Sequence, residues 1–277
     1  MSEGGPPSLP ESETQSWSKS TWLGVIALLA IHSLLLAWLA AVHSPTYDEP
    51  GHLIAGYRNW DTGHVDLYVV NPPLVKLVAA WPLLLFRPEV HWEAMTEKPG
   101  IRQEFGFGRL FIEQNPRWYW MLLCAQLACI PLSLVGALVA FHWSRQLFGQ
   151  NAGWIALGLW TFDPNILGNG SLVTPDVGAS SLGLLAAYLY WKWFENLSWG
   201  RAALAGLGLG LALLSKSTML ILAPIWIGVW LVRRLWTGIA PRDCFRDLGQ
   251  LTTMLILGGY VLNAGYGFSG TGTPLKE

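Results

Sequence analysis

Two acids and a histidine lie directly after the first long apolar run of the chain and are well suited to chemistry. Asp48, Glu49 and His52 fall within five residues. Carboxylates at a membrane edge are costly unless they are solvated or used, so both acids are functional candidates. On a helix, Asp48 and His52 are four residues apart and share one face. A structural interpretation stays open, in which Asp48 caps a helix at the start of a hydrated loop.

Lys76 is a second candidate, and it follows two prolines in Asn71-Pro72-Pro73. Prolines disfavour helix up to that point and favour a helix just after it. Lys76 then lies about one turn into a short helix, where its ammonium could hold an anionic lipid headgroup. The alternative is an ordinary lysine that extends its charge toward water.

Two further candidates occur later in the chain. Asp176, in Thr174-Pro175-Asp176, is either the N-cap of the next helix or a second carboxylate that faces Asp48 across a cleft. Lys216 lies between two short apolar runs, where it could meet a phosphate or extend toward water.

No metal-binding motif is recognisable. Asp48, Glu49 and His52 could ligate a divalent cation, but their spacing follows no ligand rule. The 3 cysteines form neither a metal-like spacing nor a disulfide framework. We therefore predict no metal site and no certain cofactor, and keep a divalent metal as an open alternative.

The composition places these residues in a membrane protein. Of the 277 residues, 52% are hydrophobic and 13% are charged, whereas a soluble domain has about 25% charged residues. The 17 tryptophans favour a membrane–water boundary. A net charge of −1 excludes the basic surface that nucleic-acid binding needs.

Apolar runs predict an all-α polytopic protein with about seven transmembrane helices. Residues 1–20 are rich in Pro, Gly and Ser and indicate a disordered cytoplasmic tail, which leaves 21–277 as the transmembrane module. The run at 22–42 can cross a hydrocarbon core of about 30 Å and lies too deep for a signal peptide. The other predicted spans are 118–143, 152–167, 177–194, 201–214, 219–232 and 248–266.

The loops decide which candidates can meet. The first outer loop, 43–117, contains an apolar run at 74–86 that is too short to cross and is typical of an interfacial helix. The second outer loop, 167–176, has no Lys or Arg. Positive charge favours the cytoplasmic side, so we predict a cytoplasmic N-terminus and outward-facing first and second outer loops. The basic residues of the predicted inner loops are Arg145, Lys192, Arg201, Arg233, Arg234, Arg242 and Arg246.

This topology places Asp48, Glu49 and Asp176 on one face of the membrane. Acids and lysines gathered there, beside an interfacial helix that can meet lipid headgroups, suit chemistry on a lipid-linked phosphate.

Several segments carry a family pattern in order along residues 22–265. They are Tyr47-Asp48-Glu49-Pro50-Gly51-His52 with Ala55-Gly56-Tyr57, Asn71-Pro72-Pro73-Leu74-Val75-Lys76, Phe105-Gly106-Phe107-Gly108, and the runs at 145–149, 164–167, 172–176 and 213–216. This ordered series resembles the GT-C glycosyltransferases, and most closely the bacterial dolichyl-phosphate-mannose–protein mannosyltransferases and lipid A aminoarabinose transferases.

The resemblance implies a GT-C-type helical module with two interfacial helices in the first loop. It also implies a polyprenyl-phosphate sugar donor and inverting transfer on the outer face of the cell (inner) membrane. Asp48 matches the catalytic base, Glu49 is its neighbour in the motif, and Asp176 matches the second-loop acid. For the donor phosphate, Lys76 is the matching lysine, and Lys216 and His52 complete the predicted binding set. The acceptor, which could be a protein, a lipid or a glycan, is not identified by any motif.

Two departures from the family pattern stand out. Gln126 lies in span two where many relatives have Arg, so a charge is missing there. Relatives usually continue for several more spans and often have a soluble outer domain, so we expect a fragment, a split protein or a degenerate copy.

Two other classes of protein stay open. A transporter or channel could use the acids to relay protons or bind a solute. It would have ionisable residues near the membrane midplane and internal repeats, whereas the charges here are expected only at the edges and the halves are not self-similar. A non-catalytic membrane scaffold is the third possibility.

Overall fold

The computed structural model describes residues 17–95, 102–237 and 241–272, and all of their regular structure is helical. This confirms the all-α fold class. The α-helices of these ranges are α1 (Lys19–Val42), α2 (Glu49–Thr62), α3 (Leu74–Ala80), α4 (Leu83–Phe86), α5 (Gln103–Gln114), α6 (Trp118–Phe148), α7 (Gln150–Phe162), α8 (Pro164–Asn169), α9 (Pro175–Glu195), α10 (Trp199–Ser215), α11 (Leu222–Thr237) and α12 (Pro241–Gly265). Short 3₁₀ helices occur at Trp92–Ala94 and Ser217–Ile221.

Apolar helices make the chain a multi-pass membrane protein. Within the described residues, 3 helical stretches are long and apolar enough to cross a membrane, namely α1, α6 and Ser217–Trp236. The rise of 1.5 Å per residue gives α1 a length of about 36 Å, enough for the hydrocarbon core. The apolar helix α10 is shorter. Every predicted span overlaps helical structure, and the total of seven membrane crossings stays a prediction.

The predicted third span, 152–167, is interrupted, which corrects the expectation of one continuous helix. α7 ends at Phe162, and Pro164 begins α8. The Asp163 side chain caps α8 by accepting from the backbone N–H groups of Asn165 (2.8 Å) and Ile166 (2.9 Å). A capping acid followed by proline at the first helical position starts a new helix rather than continuing the old one.

The N-terminal boundary also differs from the sequence prediction. Residues 1–16 of the predicted disordered tail lie outside the described residues. α1 begins at Lys19, where the Ser18 hydroxyl accepts from the N–H of Thr21 at 3.1 Å. The helix therefore includes the last two residues of the predicted tail.

The first loop is a folded unit. The sequence indicated one interfacial helix and the resemblance two, whereas the loop contains four helices, α2 to α5. The run at 74–86 divides at Trp81-Pro82 into α3 and α4. α2 lies so close to α3 that a side chain at Gly56 would collide with the Lys76 carbonyl. Buried apolar residues of α2, α3 and α5 share one core with the start of α6, so the unit packs against the spanning helices.

The helices α9, α10 and α12 form a second core through small residues. A Cβ on Gly206 of α10 would lie 2.9 Å from the Met254 carbonyl of α12, and one on Gly208 would lie 3.2 Å from the Cα of Ala186 in α9. Backbones that approach this closely exclude larger side chains, which is the usual packing of membrane helices.

A buried histidine joins α1, α6 and α7, which corrects the expectation that ionisable residues lie only at the membrane edges. The ring of His32, midway along α1, is fully buried. Its Nδ1 lies 3.0 Å from the Thr161 carbonyl oxygen, and its Nε2 lies 2.9 Å from the Ser133 hydroxyl. Because a carbonyl only accepts, Nδ1 donates to it, and a neutral ring then accepts from Ser133. Both ring nitrogens are used in packing α1 against α6 and α7, so His32 lends no support to a transport path.

Candidate functional site

Asp48 occupies the N-cap position of α2 with its side chain exposed to solvent. Its backbone carbonyl accepts from the His52 N–H at 3.0 Å, but its carboxylate makes no capping hydrogen bond in the described structure. Asp48 therefore occupies the position that the capping interpretation predicts, but its carboxylate does not cap α2. The carboxylate remains accessible to a bound molecule.

Glu49 points in the opposite direction and is 0% exposed. Its Oε2 accepts from the backbone N–H of Thr46 (2.7 Å) and from the Thr46 hydroxyl (3.2 Å). Its Oε1 accepts from the side-chain amide of Gln126 (2.8 Å) and from the backbone N–H of Val173 (3.0 Å). Glu49 thus connects the start of α2 to α6 and to the segment before α9, with both oxygens occupied inside the protein.

Asp176 and Lys216 form an ion pair across 40 residues of sequence, with Nζ 2.6 Å from Oδ1. The N-cap of α9 is Thr174, so Asp176 belongs to the first turn and the N-cap interpretation is wrong. A carboxylate in that turn is stabilised by the helix dipole. Both side chains are partly exposed, so the pair is reachable from solvent.

Lys76 is buried rather than extended toward water, and only 2% of it is exposed. Its ammonium donates to the carbonyl oxygens of Tyr68 and Asn71, both at 2.8 Å. Burial lowers the pKa of Lys76 to about 8, against an opposing effect of Glu104. The ammonium therefore stabilises the segment before α3.

His52 is also buried, with 3% exposed, and stacks on Tyr68 at a ring-centroid distance of 4.1 Å. Burial first, and then the positive charge of Lys76, lower the pKa of His52 to about 4, and Asp176 acts in the opposite direction. The ring is therefore neutral at neutral pH. It could offer a phosphate an N–H group but not a charge.

Sequence reasoning missed Arg102, Glu104 and Tyr68. The Arg102 guanidinium lies 5.1 Å above the ring of Tyr68 and 4.9 Å from that of Phe105, and it pairs with the buried carboxylate of Glu104. Such stacking is typical of cation–π contacts. Glu104 directly precedes residues 105–108, one of the segments that carry the family pattern, and this position could have marked it as a candidate. Nothing in the sequence singled out Arg102 or Tyr68.

These groups share one electrostatic environment. Burial and the charge of Asp48 raise the pKa of Tyr68, while Arg102 lowers it. Asp176 and Lys76 both affect His52. The bonds of Glu49 to Val173 and of Lys216 to Asp176 bring together the N-terminus of α2, the segment that leads into α9 and the end of α10.

The described residues contain no group of three or more His, Cys, Asp or Glu side chains that could hold a metal ion. Asp48, Glu49 and His52 do not converge as ligands, because Glu49 turns inward while Asp48 faces solvent.

A family model described as dolichyl-phosphate-mannose-protein mannosyltransferase matches residues 113–256, more than half of the chain. The chain belongs to this family. The match confirms the resemblance carried by the motifs and makes the protein a membrane glycosyltransferase in general terms. It includes Gln126, Asp176 and Lys216, whereas Asp48 lies before it. No curated protein and no solved structure matches the chain.

Proposed function

We propose that the protein transfers a sugar from a polyprenyl-phosphate donor to an acceptor hydroxyl, with inversion at the anomeric carbon and with Asp48 as the base. The observation that carries this proposal is the Asp48 carboxylate, which is accessible and does not cap α2, in the same region as the Asp176–Lys216 pair. Family membership supplies the reaction class.

The chemistry requires few groups. An acceptor hydroxyl is a poor nucleophile, so a carboxylate must take its proton as its oxygen bonds to the anomeric carbon. Attack on the face opposite the phosphate breaks the sugar–phosphate bond and inverts the anomeric centre. The leaving group is a stable phosphate anion and needs no general acid.

The cations of the site would stabilise that leaving group. Lys216 is partly exposed and could exchange its contact with Asp176 for a phosphate oxygen. Lys76 already donates to two carbonyls, so it would stabilise the backbone beside the site without contacting the phosphate. His52 would contribute an N–H group, and a divalent metal remains an alternative source of positive charge.

We place the site at the outer face of the cell membrane, with the N-terminus in the cytoplasm, because the predicted topology puts the basic residues of the short loops on the opposite side, where positive charge is favoured. The exposed Tyr47 beside Asp48 offers a test. A Tyr47→Cys variant should react with a membrane-impermeant thiol reagent added to intact cells. Labelling only after the cells are broken would reverse the orientation.

The decisive experiment measures the release of polyprenyl phosphate from a labelled polyprenyl-phosphate sugar by the chain in proteoliposomes. Asp48→Asn should lower the turnover rate by about 100-fold or more, because proton abstraction is lost. Asp163→Asn is the matched control, since Asn also caps α8 and turnover should not change. Normal turnover by Asp48→Asn would exclude the proposed base. Solute flux without release from any donor would favour transport.

A further inference from the structure

The carboxylate of Glu49 lies between two segments that each lead to an acid of the site. Thr46 precedes Asp48 by two residues, and Val173 precedes Asp176 by three. Both segments donate a backbone N–H to Glu49, one to each oxygen. The Glu49 side chain therefore connects its own part of the chain to a residue that lies 124 positions further along the sequence.

We propose that Glu49 is a positioning residue that holds Asp48 and Asp176 at a fixed separation, and that only a carboxylate can fill this role. Its effect on catalysis rests on the proposed function. Its effect on the two segments does not. Glu49 touches no exposed surface, so its influence on a substrate must pass through the acids beside it.

The requirement for a carboxylate follows from the donors around it. A carboxylate only accepts, and each of its oxygens here receives an N–H whose position the backbone fixes. An amide has one accepting and one donating end. Whichever way a glutamine at position 49 turned, its NH₂ group would face the N–H of Thr46 or of Val173. One of the two segments would then lose its bond, and a backbone donor would be left without a partner.

Gln126 adds the third connection. Its amide donates to the same oxygen as Val173, so α6 supports the connection that Glu49 makes between the two segments, which we call the joint. This bond is between side chains and involves neither segment directly. Gln126→Leu should therefore loosen the joint less than Glu49→Gln does.

The main test combines hydrogen exchange with kinetics on the full chain in lipid nanodiscs. In Glu49→Gln, amide exchange should become about tenfold or more faster at 43–48 and at 170–174 together, while the connection at 196–198 keeps its wild-type rate. The turnover number should fall at least tenfold with the KM for the donor within about threefold, because a displacement of about 1 Å can slow a reaction up to 100-fold. Glu113→Gln, at an exposed pair with Arg109, is the matched control and should change neither readout.

Several outcomes would separate this idea from others. Unchanged exchange at 170–174 in Glu49→Gln would overturn the coupling. A loss of turnover equal to that of Asp48→Asn, with both segments still protected, would make Glu49 a direct participant and overturn the positioning role. The shape of the pH–rate profile gives a further readout: Glu49→Gln should lower the rate at every pH and keep the wild-type shape of the profile, and a changed shape would contradict positioning.

The exchange experiment stays informative if no donor is turned over, because it needs no activity. Faster exchange at both segments with an inactive wild-type protein would support the joint and refute the proposed function. If Glu49→Gln does not fold, Gln126→Leu supplies the test. It should show an intermediate increase of about threefold at both segments, and an increase at neither would overturn the proposal.

Discussion

The first-loop unit and the α9–α10–α12 core are held together in different ways. In the first-loop unit, buried charged groups bond to the backbone, as Glu49 does with Thr46 and Val173 and Lys76 does with Tyr68 and Asn71. In the α9–α10–α12 core, glycines bring helix backbones into direct contact. The first arrangement depends on charge and hydrogen-bond direction, and the second depends on volume.

This difference suits the position of the site. Backbone segments without regular structure have unpaired N–H and C=O groups, which are costly to bury unless a side chain bonds to them. The first-loop unit contains such segments beside Asp48, and charged side chains form the hydrogen bonds that the backbone groups of these segments require. The helices of the other core bond their own backbones, so close packing is sufficient to stabilise them.

The largest effect is expected for Lys76→Met, which keeps the length of the side chain and removes the charge. The carbonyls of Tyr68 and Asn71 would lose their buried donor, which should lower the free energy of unfolding by about 3 kcal/mol. Thermal unfolding in detergent measures the loss, and hydrogen exchange should localise it to 68–71. Lys192→Met, at a pair with Glu195, is the control and should lose less than about 1 kcal/mol. Equal losses in both variants would contradict the importance of the buried ammonium.

A volume change should damage the other core. Gly206→Val places branched carbons against the backbone of α12. A backbone cannot move away as a flexible side chain can, so the substitution should destabilise the protein by about 2 kcal/mol. Gly158→Val is the control, because nothing lies within 4 Å of a Cβ there. The loss in Gly206→Val should not vary with pH. A pH-dependent loss would remove the proposed distinction between the two regions.

The pH dependence of the first-loop unit should be smaller but measurable. The pKa of His52 is about 4 in the folded protein, whereas the ordinary value of a histidine is 6.5. Between these values the unfolded chain binds a proton that the folded chain does not, so stability falls as the pH decreases. From pH 7 to pH 5 this contribution is about 2 kcal/mol at most.

His52→Phe keeps a ring to stack on Tyr68 and cannot titrate. Its unfolding free energy, measured by thermal unfolding between pH 7 and pH 5, should therefore fall less steeply than that of the wild type. Parallel curves for the two proteins would mean that His52 does not contribute to the pH dependence.

The smallest stability effect is expected for Lys216→Ala, because the pair with Asp176 is partly exposed. Such pairs contribute about 1 kcal/mol or less, so thermal unfolding should hardly change. Donor turnover should fall nevertheless if Lys216 contacts the phosphate. A large loss of stability with normal turnover would make this pair part of the structural framework instead.

The helical fold and the grouping of the site were largely predictable. Uncharged apolar runs predicted the spanning helices, because a membrane requires such runs to form helices. The ordered motifs led to Asp48, Asp176 and Lys216, and the structure places these residues in one region. The break at Asp163 was a missed signal, since an acid followed by proline typically begins a new helix.

The directions of the buried side chains could not be predicted. Asp48 and Glu49 are adjacent acids, yet one faces solvent and the other is enclosed by groups that are 77 and 124 residues away in sequence. Lys76 resembled a lysine that reaches toward water because its carbonyl partners have no side-chain signature. His32 was overlooked because a lone histidine in an apolar run has no visible partner until α1, α6 and α7 are assembled.

The two hydrogen bonds of His32 also determine how α1 can move. A helix held only by apolar contacts can rotate slightly about its long axis, because such contacts have little directional preference. His32 is bonded on both sides, to Ser133 and to the Thr161 carbonyl, so rotation of α1 would break at least one of these bonds. Only the five residues between Val42 and Asp48 separate the end of α1 from the proposed base. A histidine in the interior of the helix bundle therefore fixes the rotation of α1 and, with it, the direction in which the chain continues toward Asp48.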